Sequence, residues 1–203
     1  EDARVRAVLA GAGVPVLDAT ERDLAQISDV QTSQGVVAVA RIERLPEDRL
    51  GACAAVLALD GVQDPGNVGT LLRTAAWFGA DAVVAGPGTA DLFGPKVIRA
   101  AMGGLWDVGL AQTGDLAEAL GVLRSRGHAV YGADLGGTPV RRWQPARPSV
   151  LVLGSEAHGL SGAVRAGLDA RVAIGGAAGR AGTESLNVAV AGGILIHAWL
   201  GAP

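Results

Sequence analysis

Sulfur and lysine are both scarce in this 203-residue chain. A single cysteine, Cys53, lies in the apolar stretch GACAAVLAL, which rules out a disulfide framework and a set of thiols able to hold zinc. One unpaired cysteine fits a reducing cytoplasm. Lys96 is the only lysine among 17 basic residues, and it follows Pro95, so a GxxxxGK[ST] phosphate loop is impossible. The fingerprints GxGxxG and GxSxG are missing as well. The three histidines, His128, His158 and His197, share no metal-ligand spacing, which speaks against a zinc site. The longest nearly apolar run, LNVAVAGGILIHAWL, is shorter than the roughly 20 residues of a spanning helix and carries Asn187 and His197. The opening residues show no basic segment or cleavage site of a signal peptide.

What is present describes a globular chain: 49% of residues are apolar, 18% charged, 3% aromatic, with net charge −3. A mean hydropathy of +0.33 excludes disorder, and the length allows one domain of about 150 residues plus an appendage. The negative balance argues against a generally basic nucleic-acid surface. Arginine's planar fork does suit phosphate, but arginine-rich composition also follows from G+C-rich coding, so composition assigns no partner.

Residues 3–40 read as helix, strand, helix, strand: ARVRAVLAGAG, VPVLDA, TERDLAQIS with Thr20 as N-cap, and GVVAVA. Two helices and two short strands bury too little to stand alone, so the segment reads as part of a larger domain. The charged stretch around Pro46 is the linker candidate, giving divisions at 1–45, 46–53 and 54–203. From residue 54 onward short apolar runs alternate with helical patterns, which predicts a parallel sheet with helices on both faces.

Ligands of such sheets bind at the carboxyl ends of strands, and three loops stand out there. In DGVQDPGNVGTLLRTAAWFGA, Asn67 reads as an N-cap, with Arg73 following in the first two turns. In LVLGSEAHGLSG, Gly154 and Gly159 allow close backbone approach to a ligand beside Glu156. In GGAAGRAGTESLNVAVAGG, a glycine-rich loop enters a helix whose first turn carries Glu184, Ser185 and Asn187, with Thr183 or Ser185 as cap. Each loop taken singly is equally an ordinary capped turn.

Taken in order, the loops resemble the three signature motifs of the SpoU, or TrmH-like, family of RNA ribose methyltransferases. Motif one is similar to Asp64-Pro65-Gly66-Asn67-Val68-Gly69-Thr70 through Arg73-Thr74-Ala75. Motif two is similar to Leu153-Gly154-Ser155-Glu156 through His158-Gly159-Leu160-Ser161, and motif three to Glu184-Ser185-Leu186-Asn187-Val188-Ala189. KVIRAAMGG at 96–104 is a fourth landmark. The chain departs from the pattern in its glycine-rich loop before motif three, and in Ala157, where a glycine is common.

The resemblance implies a SPOUT fold over about 54–200: an α/β parallel sheet with a C-terminal trefoil knot. It also implies that residues 1–40 correspond to the second half of an L30e-like ribosomal-protein-type RNA-binding domain, whose first half lies outside this sequence. S-adenosylmethionine is the implied cofactor, held by Leu153, Gly154, Ser155, Glu156, Gly159, Ile174, Ser185, Leu186 and Asn187. Arg73, Asn67, Glu156, Ser185 and Asn187 are the implied catalytic set, with no metal. A homodimer through the knot and the last helix is implied too, Trp199 suiting either that interface or the chain's own core. Ribosomal RNA, 23S in particular, is favoured over transfer RNA as partner, in a branch that holds housekeeping and antibiotic-resistance enzymes alike.

Transfer to a ribose 2′-hydroxyl needs an in-line approach and stabilisation of the oxygen as its proton leaves. Free arginine has a pKa above about 12, so Arg73 suits electrostatic stabilisation better than proton abstraction, though a neighbouring sulfonium would ease the latter. Two other readings stay open: a SPOUT relative that binds RNA without transfer, and a generic nucleotide-binding α/β domain.

Overall fold

The computed structural model describes residues 2–28, 35–176 and 185–201. The chain divides into two units, Glu1–Arg41 and Ile42–Pro203. In the first, α1 (Asp2–Ala12) and α2 (Glu21–Ile27) form where the 3.6-residue pattern places them. Thr20 caps α2 through its hydroxyl, which accepts from the Asp23 N–H at 3.2 Å, and the Asp23 carboxylate accepts from the Thr20 N–H in return. The strands expected at 14–19 and 35–40 are absent among the described residues. A strand exists by its ladder, and among the described residues no ladder includes either segment; Leu17 and Val39 are 87% and 98% exposed.

The second unit alternates strand and helix: β1 (Ala55–Asp60), α3 (Pro65–Trp77), β2 (Ala82–Ala85), α4 (Pro95–Ala101), β3 (Gly109–Gln112), α5 (Leu116–Ser125), β4 (Ala129–Pro139), β5 (Ser149–Gly154), α6 (Gly162–Ala166), β6 (Ala170–Ala173) and α7 (Val188–Leu200). The six strands form one parallel sheet in the order β3-β2-β1-β5-β4-β6. The parallel sheet follows from strands that are buried on both faces and joined by helical crossovers. Successive residues of β1 alternate between two cores. Leu57 and Leu59 pack with Leu71, Leu72, Leu195 and Ile196 of α3 and α7, whereas Val56 and Ala58 pack with Leu120 and Leu123 of α5. Each such buried leucine contributes about 1.5–3 kcal/mol of transfer free energy.

The stretch read as a linker is part of this unit. Glu47–Ala52 form a 3-10 turn whose Leu50 is buried in the α5-side core, and Leu45 donates its N–H to the Leu110 carbonyl at 2.8 Å. Its charges suggested a tether, yet the buried leucine and the sheet-edge hydrogen bond anchor it. His128 precedes β4 and is buried, with Nδ1 3.1 Å from the Leu123 carbonyl oxygen and Nε2 2.7 Å from that of Cys53, tying this turn to the end of α5.

Trp199 belongs to the intrachain core. Its Nε1–H donates to Ser149 Oγ at 2.9 Å, and the Arg147 guanidinium lies 5.4 Å from its ring centroid. The outward face of α7 instead carries Val190 and Ile194, four residues apart. No helix among the described residues is long and apolar enough to cross a membrane.

Candidate active site

β1 and β5 are neighbours, but the chain leaves them toward opposite edges of the sheet, so their carboxyl ends flank a switch point where α/β folds bind ligands. After β1 the turn is closed by Asp64, whose carboxylate accepts from the Asn67 N–H at 2.9 Å, with Pro65 opening α3. Asp64 is therefore the N-cap and Asn67 sits one turn in. That shift frees the Asn67 side chain, which a cap would have consumed.

After β5, the Ser155 and Gly159 main chains pair with each other, the Ser155 N–H donating at 3.1 Å and the Gly159 N–H at 2.8 Å. Gly159 has φ +67, and a Cβ at Gly154 would lie 2.3 Å from the Gly159 carbonyl carbon. The close backbone approach at Gly154 is thus made by the loop to itself. Ala157, where the SpoU pattern has glycine, does not adopt positive φ, so its Cβ costs nothing here.

Before α7, the cap is Asn187, whose Oδ1 accepts from the Ala189 and Val190 N–H groups at 2.9 and 3.2 Å. Ser185 precedes the helix rather than opening its first turn; Thr183 and Glu184 lie outside the described residues. Asparagine outcompetes the serine as cap because the apolar run begins directly after it.

These three turns meet through one amide. Asn67 Nδ2 donates to Glu156 Oε1 at 2.6 Å, and Asn187 Nδ2 donates to Asn67 Oδ1 at 3.1 Å. Arg73 is not drawn into this chain of hydrogen bonds. It is exposed two turns along α3, and its side chain makes no ion pair or hydrogen bond with any described residue.

Beside the network, a cavity of about 810 Å³ lies at the carboxyl ends of β4, β5 and β6. Leu153, Gly154, Ser155, Glu156, Gly159, Ile174, Ser185 and Leu186 line it; Asn187, also expected there, stands just outside. Sequence reasoning missed Asp134, Leu135 and Arg165 on its wall. The acid at the end of an apolar run, GADLGG, was the available signal. Asp134 Oδ2 lies 2.6 Å from Arg165 Nη1, and its Oδ1 accepts from the Gly136 N–H at 2.9 Å. A second, shallower hollow at the amino ends of the strands is lined by the Arg124–Asp169 pair, already matched at 2.9 Å, and carries no converging chemistry.

The cavity suits a nucleoside with a cationic tail. Its volume lies within the roughly 300–1,000 Å³ of small-molecule sites, and Leu153, Leu160, Val172 and Leu195 supply apolar walls. Ile174, Gly175, Gly176, Ser185 and Leu186 make no main-chain hydrogen bond to another described residue. The exposed Glu156 carboxylate stands at the rim.

Residues 54–197 match the SpoU rRNA Methylase family. The chain is 35% identical over 188 residues to the 23S rRNA (guanosine(2553)-2′-O)-methyltransferase RlmP of Bacillus subtilis, covering 91% of this chain and 72% of that protein. It is 31% identical over 195 residues to an uncharacterized tRNA/rRNA methyltransferase of Mycobacterium ulcerans, covering 92% of this chain and 62% of that one. Its fold superposes on the AdoMet-bound rRNA methyltransferase from Sinorhizobium meliloti with a TM-score of 0.84 at 29% identity, over 96% of this chain and 75% of that one. With the three motifs converging on one amide beside a nucleoside-sized cavity, the chain belongs to the SpoU family of S-adenosylmethionine-dependent RNA methyltransferases.

Proposed function

We propose that the protein methylates a ribose 2′-hydroxyl in ribosomal RNA, 23S rRNA first among its substrates. The observation that carries this reading is the Glu156–Asn67–Asn187 hydrogen-bond chain at the mouth of the cavity, with Arg73 exposed on the same helix as Asn67. The similarity to the Bacillus protein supports the choice of RNA and of the 2′-oxygen.

S-adenosylmethionine supplies an electrophilic methyl carried on a sulfonium. Main-chain groups at Gly154, Ile174 and Leu186 hold the adenine edge, and the apolar walls exclude water. Glu156 stabilises the positive charge and fixes the Asn67 amide. Asn67 and Asn187 orient the incoming ribose, and Ser185 lines the pocket beside them. Arg73 stabilises the oxygen as its proton passes to solvent; one such donor lowers a barrier by about 2.7–4 kcal/mol.

In the same reading, the first unit belongs to an RNA-binding domain of the L30e type, the C-terminal path is knotted, and two chains pair through α7, where Val190 and Ile194 are exposed. Such an enzyme works in the cytoplasm. Calorimetric titration of S-adenosylmethionine tests the core of the proposal, because the cavity is built from one unit. Saturation at one site per chain is expected; a folded protein that takes up no cofactor overturns it.

A further inference from the structure

We infer that Asp60 is a positioning residue for the transfer: its buried carboxylate holds the returning end of the turn that carries Glu156, and so keeps Glu156 against Asn67. This rests on the methyltransferase reading and gives a part in it to an acid outside the three motifs.

Asp60 is the one buried acid among the described residues, 9% exposed at the last position of β1. Its Oδ2 accepts from the Ser161 N–H at 2.6 Å, and the carboxylate makes no ion pair and no other hydrogen bond with a described residue. A carboxylate taken out of water with a single amide for partner works against folding, and an apolar side chain would serve the core better. What it provides is a strong, directed acceptor at the carboxyl edge of the sheet.

The placement is rigid. Thr89 Oγ1 donates to the Leu59 carbonyl at 2.9 Å and accepts from the Gly61 N–H at 3.1 Å, so the main chain is pinned on both sides of Asp60. The Asp60 side chain follows Val56 and Ala58 onto the α5 face of the sheet, where α6 also packs through Val164. In the β1–β5 register Asp60 stands opposite Gly154, where the turn departs; through its carboxylate it also holds Ser161, where the turn returns. Between these two anchors the Ser155–Gly159 pair closes the turn, and Glu156 reaches from it to Asn67. Asn67 itself follows Asp60 along the chain, past Gly61 at φ +72. One residue thus sets the relative position of both partners in the 2.6 Å contact between Asn67 and Glu156.

A purely structural role fits less well. Leu160, 4% exposed, already buries the turn in the α5-side core, so the turn stays on the sheet without help from Asp60. Apolar burial is non-directional, however, and leaves the aim of the exposed Glu156 undetermined. Ser161 also caps α6, its hydroxyl accepting from the Val164 N–H at 3.4 Å, and α6 carries Arg165 of the cavity wall. The Asp60–Ser161 bond therefore steadies two groups around the cavity, Glu156 on its rim and Arg165 on its wall.

Hydrogen exchange of the cofactor-free protein and single-turnover methylation of protein-free ribosomal RNA test this together. Asp60→Ala is expected to speed exchange across residues 155–161 by about 10-fold or more while α7 is unchanged, and to slow transfer about 10- to 100-fold, the loss of one charge-assisted hydrogen bond. Asp60→Asn, whose amide oxygen accepts the same N–H, should recover most of both. Made on top of Asn67→Ala, Asp60→Ala should slow transfer no further, since Glu156 then has no amide to meet. Should Asp60→Ala fail to fold, Ser161→Pro removes the same hydrogen bond from the donor side, at a φ of −60 that proline adopts, and must give the same faster exchange. Exchange at 155–161 equal to wild type in Asp60→Ala, no recovery in Asp60→Asn, or losses that add in the double variant overturn the proposal. A wild-type protein that transfers no methyl group to RNA would overturn the methyl-transfer reading; the exchange result then decides by itself whether Asp60 holds the turn.

Discussion

The Asn67 amide and the Glu156 carboxylate are 89 positions apart in the chain and 2.6 Å apart in space. The contact joins the turn after β1 to the turn after β5, adjacent strands that pair along their whole length up to Asp60 and Gly154. Because Asp64 does the capping, the Asn67 side chain spans the gap and still accepts from Asn187.

Asn67→Asp sets a carboxylate against Glu156. Loss of this charge-assisted hydrogen bond, about 1.5–3 kcal/mol, should slow methyl transfer roughly 10- to 100-fold. Adding Glu156→Gln restores a donor–acceptor pair, so the double variant should recover most of the rate in a single-turnover assay. A double variant no better than Asn67→Asp would show that the pair is not coupled in catalysis.

Arg73→Ala should reduce transfer about 10²- to 10³-fold while calorimetry finds the S-adenosylmethionine affinity unchanged, since Arg73 does not line the cavity. Retained turnover would remove Arg73 from the reaction. Asn187→Ala, which loses both the α7 cap and the link to Asn67, should impair cofactor binding and transfer together. Unchanged kinetics would make the third turn structural only.

Gly154→Ala should be destabilising. Its Cβ would enter the backbone of Gly159, and overpacking of this kind costs about 1–3 kcal/mol. Thermal denaturation should show a drop of about 2–4 °C per kcal/mol for a chain of this size. A melting temperature equal to wild type would mean the turn reopens without cost.

Burial, reinforced by the Asp81 carboxylate and partly offset by Arg49, pushes the Cys53 thiol above its ordinary range. At pH 8 the folded protein holds less thiolate than a free cysteine, so alkylation by iodoacetamide should be slower than in the urea-unfolded chain. The difference should narrow as pH rises through the raised value. Equal rates at pH 8 would show that the thiol is not desolvated.

Much of the second unit could be read from residue patterns. Runs such as SVLVLG and AAVLAL gave strands within a residue of their observed bounds, because a strand buried on both faces has nowhere to place a polar side chain. The readings that failed depend on competition between neighbours. Asp64 against Asn67, and Asn187 against Ser185, are choices between chemically similar caps, settled by where the chain turns. The strands expected near Val16 and Val39 failed because apolar alternation supplies a face and no pairing partner. Asp134 passed unnoticed because an acid after a strand is common until Arg165 and the cavity are seen around it.

Sequence alone determined most elements of the second unit, the alternation that makes a parallel sheet, and the three loops holding Asn67, Glu156 and Asn187, since each depends on residues within one or two turns of chain. Tertiary structure alone decided the order β3-β2-β1-β5-β4-β6, which makes β1 and β5 neighbours and so brings residues 67, 156 and 187 onto one amide. It also decided that Trp199 faces inward while Trp77 and Trp106 face out. The physical reason is range. Capping and periodicity act over a few residues, whereas strand order and the burial of a large side chain are set by how the whole apolar surface is shared between the two faces of one sheet.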